Sequence, residues 1–109
     1  MKLEEIFKKC NDLRVLQRRL MVGEYKEIVV YREDMESWQN TLTEILGAPV
    51  KMAGVKPTQE DLSLTQEYGG IAENQILFYR KFEDVFVIAM IWPWEDGTYM
   101  TLKMVCLEN

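Results

Sequence analysis

Three apolar runs separated by only two turns fill the last third of the chain. They are Asn74–Phe82 (NQILFYRKF), Val85–Trp92 (VFVIAMIW) and Thr98–Leu107 (TYMTLKMVCL), all rich in β-branched and aromatic residues. Connections this short admit only antiparallel neighbours, because a parallel pair needs a crossover of about a dozen residues or more. Asp96-Gly97 predicts a type I′ turn, which needs positive φ at both central residues, and Glu83-Asp84 predicts the turn before it. These turns set the register. Glu95 opposes Thr98, Ile91 opposes Leu102, Ala89 opposes Met104, Val87 opposes Cys106, Phe82 opposes Val85 and Phe78 opposes Ala89.

Period-two alternation then sorts the side chains onto two faces. The first carries Ile76, Phe78, Phe82, Val85, Val87, Ala89, Ile91, Met100, Leu102, Met104 and Cys106, with Arg80 as a misfit that can snorkel at the sheet end. The second carries Leu77, Tyr79, Phe86, Ile88, Met90, Trp92, Val105 and Leu107, and Trp94 lies beyond Pro93 on the same side. Only Gln75, Lys81, Thr101 and Lys103 dilute it. A face left to water alternates to polar residues, so something must cover this one. Two covers are open: the chain's own connector and short helix, or a second copy of the protein. Proline at 93 cannot donate to a ladder, and loosened pairing is expected there.

Upstream, Leu3, Ile6, Phe7, Cys10, Leu13, Leu16 and Leu20 recur at helical spacing, predicting one amphipathic helix over residues 2–21 that stops before Gly23. Tyr25–Tyr31 (YKEIVVY) reads as a strand, expected at a sheet edge. Glu33 and Asp34 open a second helix with apolar face Met35, Trp38, Leu42, Ile45 and Leu46, ended by Gly47 and Pro49. Gly47–Pro57 is a connector with no period. Thr58, with Asp61 at the N3 position, caps a short helix that runs to Tyr68 and ends at Gly69-Gly70. The expected architecture is α+β in two layers: a single domain over 1–109, with an antiparallel sheet of about four strands packed against two amphipathic helices.

Composition then excludes chemistry. The 109 residues include no histidine, which removes the imidazole base, the Ser-His and Cys-His pairs and every histidine-ligated metal. Neither GxxxxGK[ST] nor GxGxxG occurs. Cys10 and Cys106 are the only cysteines, too few for a zinc or iron–sulfur site, and they read as buried thiols. The carboxylate pairs Glu33/Asp34, Glu60/Asp61, Glu83/Asp84 and Glu95/Asp96 fall at helix starts or turns, where local structure accounts for them. No catalytic residue, metal or cofactor is assigned. Net charge is −5, but the first 22 residues carry six basic and three acidic side chains. No nucleic-acid motif accompanies those bases, and Glu4, Glu5 and Asp12 interrupt them, so neither nucleic acid nor a membrane is an expected partner. No apolar run approaches the roughly 20 residues that span a bilayer, no signal-peptide core opens the chain, and a cytoplasmic location is expected.

Two functional expectations follow. The first is a small non-catalytic domain that forms a homodimer or binds another protein through the second face, anchored by Tyr79, Phe86, Ile88, Met90, Trp92 and Trp94. The other is a small-molecule binding protein or modest enzyme. Its pocket would lie between sheet and loop at Glu67, Tyr68, Gly69 and Gly70, where adjacent glycines let backbone N–H groups approach a ligand and Arg80 adds a polar group.

Overall fold

The computed structural model describes residues 3–10, 13–22 and 24–108. Its elements are α1 (Leu3–Lys9), β1 (Gln17–Val22), β2 (Tyr25–Tyr31), α2 (Met35–Leu46), α3 (Gln59–Thr65), β3 (Ile76–Lys81), β4 (Val85–Pro93) and β5 (Tyr99–Glu108). The strands form one antiparallel sheet in the order β1-β2-β5-β4-β3, so the fold is α+β with five strands rather than four. Among the described residues no helix is long and apolar enough to cross a membrane.

The extra strand comes from the segment read as the second half of a long helix. Helix α1 ends at Lys9, and Gln17–Val22 instead forms a hairpin with β2 in which Val22 pairs with Tyr25. A helix through 21 would have left β2 with an open edge, whereas β1 satisfies that row of backbone groups. Strand β2 therefore lies inside the sheet, between β1 and β5, and not at its edge. Leu16, placed on the apolar stripe by its spacing, is 44% exposed. The register of β1 shifts between Arg18 and Leu20, leaving Arg19 in a bulge on the true edge strand.

The C-terminal meander has the expected register. Phe78 pairs with Ala89, Ile91 with Leu102, Ala89 with Met104 and Val87 with Cys106, and the Phe82 N–H donates to Val85 O at 2.7 Å. The last turn differs in type. Of Asp96 and Gly97 only Gly97 has positive φ (+75°), so the connection is a four-residue loop and not a type I′ turn. Trp94 N–H donates to Tyr99 O (3.0 Å), Gly97 N–H to Trp94 O (3.2 Å) and Thr98 N–H to Asp96 Oδ1 (2.9 Å). Trp94 thus opposes Tyr99, one pair back from the expected closing pair of Glu95 and Thr98 in the same register, and the faces are unchanged. Pairing holds through Pro93, which sits opposite Met100. The proline nitrogen points to the β3 side of β4, and β3 stops at the Ile76–Ile91 pair, so no donor is missed.

On the first face α1 and α2 close the main core. Ile6, Cys10, Trp38, Leu42, Ile45 and Leu46 pack over Ile76, Phe78, Val87, Ala89, Ile91, Met100, Leu102, Met104 and Cys106. Arg80 serves this layer: its Nη1 donates to Ile45 O at 2.9 Å, capping the end of α2, and its guanidinium lies 4.8 Å from the Phe82 ring centroid. It therefore lies on the opposite side of the sheet from the Gly69-Gly70 loop. Cys10 and Cys106 share this core with no disulfide between them.

Candidate functional site

Helix α3 is where the sequence places it. Thr58 Oγ1 accepts from Asp61 N–H (3.1 Å) and Asp61 Oδ2 from Thr58 N–H (2.9 Å), a reciprocal capping box. After a 3-10 turn at Gln66–Tyr68 the chain reverses at Gly69, and the Gly70 N–H returns to Thr65 O (2.9 Å). This segment lays Leu64, Tyr68 and buried Ile71 over Leu77, Ile88, Met90 and Val105. The second face thus has a cover from its own chain over one part, which reaches from β3 across to Tyr25 of β2.

Beneath that cover lies a lysine that the sequence shows only as one of the residues diluting an apolar face. Lys103 is 9% exposed; its Nζ donates to Tyr68 O at 3.0 Å and sits 3.3 Å from the Trp92 ring centroid. Burial pushes this ammonium below the usual lysine pKa, and Glu27, its partner across β2 and β5, pulls it back up. Trp92 Nε1 is buried with no acceptor among the described residues, so the indole contributes its π-face here rather than its donor. Gly69 completes the cluster: a Cβ there would come within 2.6 Å of Trp92 Cη2 and 3.0 Å of Lys103 Nζ, and its φ is +97°. The glycine backbone approaches these two side chains. Tyr68 stacks on Tyr25 at 5.9 Å and 20°, and Tyr25 donates to Glu27 Oε1 at 2.9 Å. A second buried lysine fixes the connector. Lys51, 2% exposed, donates to the carbonyls of Met52 (3.0 Å), Glu73 (3.0 Å) and Gln75 (2.7 Å), and its backbone bridges Leu77 on the outer edge of β3.

The other half of the face, where Val29 and Tyr31 of β2 meet Tyr99 and Thr101 of β5 beside the β4 tip, has a different surface. Helices α1 and α2 belong to the first-face core and α3 to the covered half, so aromatic side chains shield this part. Trp94 Nε1 donates to Thr101 Oγ1 at 2.8 Å, and its ring meets Tyr99 edge-on at 5.5 Å. Tyr99 lies 5.8 Å from Tyr31. Beneath them Val29 and Thr101 are buried. The Arg14 guanidinium is 4.2 Å from the Tyr31 centroid and that of Arg19 5.3 Å from the Trp94 ring. Arg14 also binds Asp34 at 2.9 Å and Glu33, two partners that raise its pKa, while Arg19 reaches Glu27 at 4.0 Å. The rings remain half-buried and the arginines exposed.

The six anchors expected on this face therefore separate. Ile88 and Met90 are sealed beneath the cover; Tyr79 and Phe86, 5.9 Å apart, flank it half-buried; Trp92 joins Lys103; Trp94 alone reaches the open half. Tyr31, Arg14 and Arg19 were not among the expected anchors, because the position of β2 and the chain before it were needed to bring them beside Trp94; Tyr99 was missed although the expected register already sets it opposite Trp94. Of the expected ligand loop, Glu67 and Tyr68 line a cleft of about 260 Å³ with Phe86, Ile88 and Leu107, and Gly69 does not line it. Another of about 260 Å³ lies on the other side of Leu64, at Tyr79 and Asp61, and a wider groove of about 660 Å³ runs past Arg32, Asn74 and Trp94. Among the described residues no three His, Cys, Asp or Glu side chains are placed to hold a metal. Comparison with protein-family models, curated proteins and solved structures finds no match.

Proposed function

We propose that this protein is a small non-catalytic cytoplasmic domain that self-associates, two copies packing through the open half of the second sheet face. The observation that carries this reading is the half-exposed aromatic array Trp94–Tyr99–Tyr31, braced by Arg14 and Arg19. Trp, Tyr and Arg are the residues in which binding energy concentrates. Here they are held by one another before any partner arrives, which lowers the ordering cost of association. The charges suit a two-fold interface, where one patch must complement itself. Arg14 and Arg19 stand beside Glu27, Glu33 and Asp34, so the bases of one copy can meet the acids of the other. A standard interface takes about 800 Å² from each partner. That is about one-eighth of the 6369 Å² this chain exposes.

Sedimentation velocity on the native protein and on Trp94→Ala/Tyr99→Ala tests the surface. The native chain should sediment as a dimer and the double variant as a folded monomer. A double variant that still sediments as a dimer would move the interface elsewhere.

A further inference from the structure

The cover over the second face is incomplete at one end. Between α3 and the ends of β4 and β5, the cleft of about 260 Å³ has Phe86, Ile88 and Leu107 as its floor and Leu64 and Tyr68 as its wall. Ile88 is sealed, but Phe86 and Leu107 are half-buried, so apolar surface meets solvent at this point. We propose that this cleft binds a small organic cation with an apolar body, an alkyl- or arylammonium, independently of the self-association proposed above.

Charge and ring geometry select that class. Among the described residues Glu67 is the one charged side chain lining the cleft, and its carboxylate forms no ion pair with any of them. Burial raises the pKa of the Tyr68 hydroxyl, and the Glu67 and Glu24 carboxylates raise it further, so the potential at this wall is negative. Tyr68 and Phe86 present aromatic rings, whose faces attract ammonium groups. The nearby base, Lys103, is turned to the Tyr68 carbonyl and the Trp92 ring and does not line the cleft. An anion would face uncompensated carboxylates, and a neutral molecule would gain only the apolar floor. The volume is below the roughly 300 Å³ at which drug-sized pockets begin, so the ligand is a small one.

Titration of the 15N-labelled chain with 2-phenylethylammonium, 2-phenylethanol and phenylacetate tests the assignment by amide chemical shift. The ammonium should give saturable shifts at Glu67, Ile88 and Leu107 with Kd in about the millimolar range. The alcohol should bind about threefold more weakly, the scale of one exposed ion pair, and phenylacetate should give no saturable shift. Glu67→Gln should abolish the preference for ammonium over alcohol while leaving the rest of the spectrum in place. Ser63→Trp, which fills the cleft from α3, should remove binding of both. Absence of saturable shifts with the ammonium, equal affinity for all three compounds, or a preference unchanged in Glu67→Gln would each overturn the proposal.

Discussion

Gly69 holds the covered half of the face together by having no side chain. Its φ of +97° is one that only glycine adopts without strain, and its α-carbon lies where a methyl group would press on Trp92 and Lys103. Gly69→Ala should therefore cost about 2–4 kcal/mol, from the left-handed backbone plus the displaced indole. Gly70→Ala has a positive φ but open space around it, and should cost about 1–2 kcal/mol, both values read from urea unfolding. Equal costs would mean that the contact with Trp92 and Lys103 contributes nothing. Cys10 sets a pH dependence at the same scale. Burial raises its thiol from 9.0 to about 11, so the folded state holds a proton that the unfolded state has released. Stability from this group is complete below about pH 9 and is lost as pH rises towards about 11, by about 2–3 kcal/mol. Cys10→Ala should remove that decline from the difference curve between variant and native protein; a parallel curve would place the thiol in solvent. Lys51 and Lys103 were not legible as buried groups, because a lysine in sequence reads as solvated. Their burial follows from carbonyls that segments distant in the chain bring to them.

At the level of elements, the meander and the strand Tyr25–Tyr31 were legible and the strand Gln17–Val22 was not, for a shared reason. Turns of two to four residues fix pairing locally, so Phe78 and Ala89, or Ile91 and Leu102, could be matched by counting. Asp96-Gly97 gave the right register with the wrong turn, since changing a loop from two residues to four around the same centre leaves every pair in place. The stripe Ile6, Phe7, Cys10 is a true helical period. Its continuation through Leu13, Leu16 and Leu20 does not extend the helix: from Gln17 onward a strand wins, because β2 offers backbone partners that a helix could not use. Hydrogen exchange separates the two arrangements. Paired with β1, the Tyr25 and Glu27 amides face a neighbour and should exchange slowly, alongside those β2 makes to β5. Rapid exchange at both, with slow exchange at 28 and 30, would return β2 to the edge.

Across the whole molecule the sheet divides its second face between two uses, one half roofed by α3 and the turn at Gly69, the other shielded only by aromatic rings and arginines. Sequence alternation showed that this face needed a cover and named two candidates for it. The segment around α3 covers one half, and the remaining surface is the one assigned here to a second copy. The chain has a mass of 12.9 kDa, and light scattering on a sizing column over a wide concentration range tests that assignment most directly. The account predicts a mass twice that value which falls only on strong dilution. A mass that stays at the monomer value at every concentration would contradict it.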